Sequence, residues 1–73
     1  MTGKINIAQI GAGGIGKRWV KALNKVEDVN LLIIVDKYKE KAEQAVQEYK
    51  KGNCEIAVDH LEILKRNDID AVI

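Results

Sequence analysis

The 73-residue chain has no proline. It therefore has no proline-rich linker, and with no repeat or low-complexity stretch either it reads as one domain. Cysteine is nearly absent. Cys54 stands alone, which excludes an internal disulfide and fits a reducing cytoplasm. Cys54 reads as a small strand residue, because no histidine is placed to activate it. Neither sign of charge dominates: 12 Lys and Arg against 11 Asp and Glu leave a net charge of +1. Nothing there points to nucleic acid or to an acidic partner. No apolar run approaches the length of a membrane span. Met1 to Gly14 follows a strand pattern, not that of a secretory leader. The expectation is a cytoplasmic protein without membrane contact. His60 is the only histidine; it is expected to face solvent in the first turn of a short helix, and no metal site is expected.

What is present is the composition of a soluble globular protein, 47% apolar and 32% charged, at about half the usual single-domain length. Its organising stretch is Gly11-Ala12-Gly13-Gly14-Ile15-Gly16, with the spacing G-x-G-x-x-G. An apolar run with strand character, Ile5 to Ile10, precedes it. An amphipathic run with helix character, Ile15 to Val26, follows. Asp36 stands twenty residues after Gly16, at the end of a second apolar run, Leu31 to Val35. Strand, Gly-rich turn, helix, strand and acid form the context in which this motif binds a dinucleotide. Gly11 lets the chain turn at a φ that a side chain resists. Gly13 removes a Cβ that would block a pyrophosphate, and Gly16 lets the helix approach the first strand. The free N–H groups and positive dipole end of the helix suit a dianionic phosphate. A carboxylate at Asp36 suits the two hydroxyls of a ribose and repels a 2′-phosphate, so NAD is favoured over NADP; Lys37 beside it weakens that preference. FAD proteins share the fingerprint, and methyltransferases use a related turn, so the motif alone separates these poorly.

Along the chain the pattern alternates. The first strand is expected over Lys4 to Ile10 and the first helix over Gly14 to Val26, with Ile15, Trp19, Val20, Leu23 and Val26 on its apolar face. Trp19 is expected as a core anchor. The second strand, Asn30 to Val35, is apolar on both faces, as in a central strand of a covered parallel sheet. The second helix is expected over Lys39 to Lys51 on Ala42, Ala45, Val46 and Tyr49, with Gly52-Asn53 as its stop. A short third strand, Glu55 to Val58, leads to Asp59 as N-cap, with Glu62 completing a capping box. A short helix, His60 to Lys65, is expected to bury Leu61 and Leu64. A fourth strand begins near Asp70. Right-handed crossovers then give a β-α-β-α-β-α-β parallel sheet of order 3-2-1-4, a partial α/β Rossmann-like fold.

These residues resemble a known family. Lys4-Ile5-Asn6-Ile7-Ala8-Gln9-Ile10-Gly11-Ala12-Gly13-Gly14-Ile15-Gly16-Lys17-Arg18, then Leu23, then Val35-Asp36, is similar to the N-terminus of the glucose–fructose oxidoreductase, inositol dehydrogenase and rhizopine-catabolism family. Asp59-His60-Leu61-Glu62-Ile63-Leu64, followed by Asp68-Ile69-Asp70-Ala71-Val72-Ile73, is similar to its third helix and the start of its fourth strand. That last segment separates this resemblance from the FAD and methyltransferase readings. Trp19 departs from the histidine the family often carries there. The resemblance implies an NAD(P)-dependent oxidoreductase acting on sugars, inositols or related polyols. It also implies a later lysine motif and a second, substrate-holding domain, neither of which lies in these residues. The candidate cofactor-binding residues are Gly11, Ala12, Gly13, Gly14, Ile15, Gly16, Asp36 and Lys37; no residue is assigned a catalytic role. Residues 1–73 read as the N-terminal part of one dinucleotide-binding domain. The alternative is an isolated nucleotide-binding module or a folding fragment without activity. A sheet left partly bare on one face, including part of the set Ile5, Ile7, Ile10 and Leu31 to Val35, predicts self-association or a homo-oligomer.

Overall fold

The computed structural model describes residues 5–49 and 54–73. The expected ends at Lys4 and Lys51, the Gly52-Asn53 stop and the Tyr49 side chain lie outside what is described. The elements run β1 (Ile5–Ile10), α1 (Ile15–Leu23), β2 (Val29–Val35), α2 (Lys39–Tyr49), β3 (Glu55–Ala57), a 3₁₀ helix (His60–Lys65) and β4 (Ala71–Val72). The four strands form one sheet of order β3-β2-β1-β4. Every pairing is parallel, the expected Rossmann-like arrangement.

Each face of the sheet has its own cover. On one side Ile7, Leu31 and Ile34 pack with Val20 of α1 and with Ala42 and Ala45 of α2. Both alanines are fully buried, and their small side chains let α2 lie close to the strands. On the other side Ala8, Ile33, Val35 and Ala57 pack against Ile63 of the 3₁₀ helix, with Ile69 beside them. This is why β2 is apolar without alternation. A register shift between Ile7 and Ala8 leaves Leu32 without a partner on β1, a bulge of the kind that sharpens local twist.

Three expectations need correction. Trp19 is not a core anchor: it is 50% exposed, and Ile15 is 71% exposed. α1 carries two apolar stripes, and only Gly16–Val20–Leu23 faces the sheet; Ile15, Trp19 and Ala22 lie one step round the helix. The 3₁₀ helix exposes Leu61 and Leu64 and buries Ile63 instead. Its tighter winding, three residues per turn, rotates a different side chain onto the sheet than an α-helix would. Asp59 caps that helix, but its Oδ1 accepts from the Leu61 N–H at 2.9 Å; the Glu62 N–H is taken by the Asp59 carbonyl, so the expected box geometry is not adopted. Of the strand set expected to be partly bare, Ile5 and Ile10 are about half exposed, while Ile7, Leu31, Ile33, Ile34 and Val35 are buried. Further bare apolar surface lies on the outer side of the helices and along β4.

α1 is also shorter than its apolar pattern, ending at Leu23. The N–H groups of Lys25 and Val26 donate to the carbonyls of Ala22 and Leu23, so the last turn tightens before the chain enters β2. Among the described residues no helix is long and apolar enough to cross a membrane.

Candidate functional site

All four strands run the same way, so their carboxyl ends meet along one edge. There the chain leaves β1 at Gly11, whose φ is +96°, a conformation that L side chains resist. The Gly11 N–H donates to the Val35 carbonyl at 2.7 Å, which ties the start of the turn to the end of β2. The next N–H, of Ala12, donates to Asp36 Oδ2 at 2.9 Å. Ala12 is fully buried, so it can contribute to a site through its backbone alone. Gly13 and Gly14 are exposed. Gly14 is the N-cap of α1, with φ +54°. The Gly16 N–H donates to the Gly13 carbonyl at 2.9 Å.

The glycines differ in what the fold asks of them. A Cβ on Gly16 would lie 2.5 Å from the Gly11 carbonyl oxygen, closer than real Cβ atoms come. Gly16 therefore permits the approach of α1 to the end of β1. A Cβ on Gly13 would meet only the Lys41 side chain, at 3.5 Å, an ordinary contact with a flexible group. No side chain caps α1, and its first turn holds no acid. The positive end of the helix is thus left without a neutralising carboxylate of its own.

Asp36 is held on both sides. Besides the Ala12 N–H, it accepts the Tyr38 N–H on Oδ1 at 2.8 Å. Each oxygen keeps a further lone pair. Lys37 is exposed, with its Nζ 5.7 Å from the Tyr38 ring centre. Lys41 Nζ approaches the same ring at 4.9 Å.

Two adjoining cavities follow this edge. One, of about 310 Å³, lies along Gly11, Gly13 and Gly16 and is bounded by Gln9, Trp19 and Ile73. The other, of about 270 Å³, lies against Asp36, Lys37, Val58 and His60. Ile10 and Gly11 line both. The structure so gathers Gly11, Gly13, Ile15, Gly16, Asp36 and Lys37 around one crevice at the carboxyl ends of the strands, where open α/β sheets place their ligands. Sequence reasoning missed Gln9, Tyr38, Lys41, Val58 and His60. The signal for Val58 and His60 was the strand order itself, which sets the end of β3 beside the end of β2. Lys41 was legible only as a member of a solvated helix face; its lean toward Gly13 is tertiary. Among the described residues no cluster of metal-ligating side chains occurs.

A family model described as an oxidoreductase family with an NAD-binding Rossmann fold, Gfo/Idh/MocA, matches residues 5–73. The chain belongs to this family. It has the NAD-binding Rossmann fold of the Gfo/Idh/MocA type. Solved structures agree with that assignment. A Sinorhizobium meliloti protein provisionally named a myo-inositol dehydrogenase is 32% identical, with a TM-score of 0.81 over 94% of this chain and 20% of its own. The myo-inositol dehydrogenase of Corynebacterium glutamicum is 28% identical, with a TM-score of 0.80 over the same shares. That of Lactobacillus casei, solved with NAD(H) and myo-inositol, is 25% identical with a TM-score of 0.81, again over 94% of this chain and 20% of its own. The Gfo/Idh/MocA chain thus spans about a fifth of the length of these structures. No curated protein matches it.

Proposed function

We propose that this chain is the cofactor-holding part of an NAD-dependent oxidoreductase whose substrate is a sugar, an inositol or a related polyol. Residues 1–73 form the N-terminal part of one dinucleotide-binding domain, and the substrate is held by sequence outside them. The observation that carries the reading is the open cradle at Gly13. Nothing rigid in the protein occupies the place of its missing side chain, and the uncapped end of α1 lies next to it. The fold has no need of glycine there, whereas a pyrophosphate approaching the backbone does.

In this reading Gly11, Gly13, Gly14 and Ile15 present backbone to the pyrophosphate, and Gly16 keeps α1 close. Ala12 acts by anchoring Asp36, which accepts hydrogen bonds from the adenosine ribose. Lys37 flanks the ribose, and Val58 and His60 wall the adenine side of the second cavity. The bound nicotinamide supplies the hydride-transfer chemistry; the residues of this chain only bind and orient. Asp36 makes NAD the preferred form by repelling a 2′-phosphate, while Lys37 and Lys41 soften that repulsion. Myo-inositol bound to the Lactobacillus casei relative speaks for a polyol substrate.

Titration with NADH tests the reading. Trp19 is the only tryptophan and borders the Gly-rich cavity, so its emission should be quenched as NADH binds. Absence of saturable quenching and of any NADH fluorescence change up to millimolar cofactor would refute it.

A further inference from the structure

β1 is apolar toward the helices except at Gln9. That side chain is 2% exposed, the one buried polar residue among those described. Its Nε2 donates to the Gly11 carbonyl at 2.9 Å and to the Gly16 carbonyl at 2.7 Å. Its Oε1 is buried with no partner. Exchanging the two ends of the amide would set Oε1 against two carbonyl oxygens, so the geometry defines which end is which. An orphaned buried oxygen is costly, and a leucine would pack there without it. The amide is retained in a place where packing alone disfavours it.

What it touches gives the reason. The Gly11 carbonyl that Gln9 holds and the Ala12 N–H that Asp36 holds belong to one peptide unit. In a trans peptide those two groups point in opposite directions. Gln9 therefore grips that unit from inside the fold while Asp36 grips it from the crevice. Gly11, at φ +96°, gives the unit little resistance of its own to rotation. The second bond, to Gly16, ties the same amide to the first turn of α1.

We propose that Gln9 is a positioning residue for the cofactor site: by holding the Gly11–Ala12 peptide it sets the orientation of Asp36 and the spacing of the Gly-rich turn. The inference rests on the dinucleotide reading of that turn. It makes Gln9 and Asp36 a coupled pair although no contact between them is needed.

The experiment uses the full chain with Gln9→Leu, Gln9→Glu, Asp36→Asn and the Gln9→Leu/Asp36→Asn double variant. Two readouts are followed at a temperature where each variant is folded by circular dichroism: NADH affinity by fluorescence, and hydrogen exchange of the Ala12 amide without cofactor. Loss of the Gln9 bonds should weaken NADH binding about tenfold and speed Ala12 exchange by a similar factor, the scale of a lost buried hydrogen bond. The double variant should lose less than the product of the single effects. Gln9→Glu supplies a test should Gln9→Leu not fold. A carboxylate facing two carbonyls is repelled, whereas a carboxylic acid can donate to one of them, so its NADH affinity and Ala12 protection should recover between about pH 8 and about pH 5. Wild type measured in parallel accounts for the charges already around the turn: Lys17, Asp36, Lys37, Lys41 and His60. Leucine-variant affinity within about twofold of wild type, fully multiplicative effects, or a pH response of Gln9→Glu that matches wild type would overturn the proposal. If wild type itself fails to bind NADH, the dinucleotide reading falls. Ala12 exchange then decides the clamp separately: unchanged protection in Gln9→Leu overturns it, and faster exchange sustains it.

Discussion

The three fingerprint glycines separate into those the protein requires and those a ligand requires. Gly16 is required by the protein. A methyl there would sit 2.5 Å from the Gly11 carbonyl oxygen, so Gly16→Ala must push α1 away from β1. Overpacking of this kind costs about 1–3 kcal/mol, read as a lower melting temperature. Gly13 is required by the ligand. Gly13→Val should leave the melting temperature within a few degrees of wild type, since the site is exposed and only Lys41 must move. It should abolish NADH binding, because the new side chain fills the pyrophosphate's place. Retained binding within a small factor would remove the phosphate role from Gly13. Asp36 tests cofactor choice. Asp36→Ser removes the negative charge and should shift the ratio of NAD to NADP affinity toward NADP by about tenfold, roughly the worth of one like-charge contact at a partly exposed site. Equal NAD and NADP affinities in the unmutated protein would show that Lys37 and Lys41 already cancel the repulsion.

At the scale of elements, the last third of the chain is the informative part. The Arg66 guanidinium donates to both carboxylate oxygens of Glu55 on β3, at 3.0 and 2.8 Å. It also donates to both oxygens of Asp68 before β4, at 2.9 and 2.6 Å. Those bonds, from Arg66 to each, hold the carboxyls of Glu55 and Asp68 below their ordinary range. A depressed carboxylate contributes stability above its unfolded pKa and loses it as pH falls through the folded one. The contribution should therefore be complete at neutral pH and gone in strong acid. Arg66→Ala should lower the melting temperature at pH 7 by a small amount, and the difference from wild type should shrink as pH falls through the two depressed pKa values; a loss that stays equal throughout the acid range would show that Arg66 acts by packing. On the same segment, Ile63 is buried and Leu64 is 73% exposed. Ile63→Ala should cost about 2–5 kcal/mol and Leu64→Ala within about 0.5 kcal/mol, both read by denaturant unfolding. This pair also marks the limit of what was legible from sequence. The Gly-rich turn and Asp36 at the end of β2 follow from local patterns, because each is set by residues within a few positions of one another, and the strand order follows from the alternation of strands and helices with right-handed crossovers. Which apolar stripe of α1 meets the sheet is not local. Ile15 and Trp19 fit the helical period as well as Val20 and Leu23 do, and only the placement of β1 and α2 chooses between them. The 3₁₀ winding over His60–Lys65 is equally invisible to a period that assumes an α-helix. Gln9 lay unread because a single polar residue in an apolar strand has no pattern; its meaning comes from two carbonyls that the turn brings to it.

For the whole molecule the balance lies in where apolar surface remains. β2 is enclosed, with Leu31, Ile33, Ile34 and Val35 all buried, so the centre of the sheet is not the weak point. The outside is. Ile15, Trp19 and Ile73 border one cavity and are all exposed, next to Val72 on a two-residue β4 that forms the end of the sheet. Leu61 and Leu64 add a second exposed group on the far side of the 3₁₀ helix. Full burial of one such side chain is worth roughly 1.5–3 kcal/mol. Two or three buried together therefore rival the stability of a small domain, about 5 kcal/mol at the low end. A chain of this length has little margin beyond that. The 73 residues expressed by themselves should accordingly self-associate at micromolar concentration. The route the structure favours runs through the Ile15–Trp19–Ile73 surface and the adjoining β4 edge, where apolar side chains and unpaired strand groups coincide. Sedimentation across a dilution series reads this directly. The expected result is a mass above that of the monomer that falls on dilution, with Trp19→Lys and Val72→Lys each shifting the series toward monomer and Leu64→Lys doing so less. A monodisperse monomer that unfolds in one cooperative step would show that the exposed stripe of α1 is tolerated in water. A shift produced by Leu64→Lys alone would move the contact to the opposite face of the sheet.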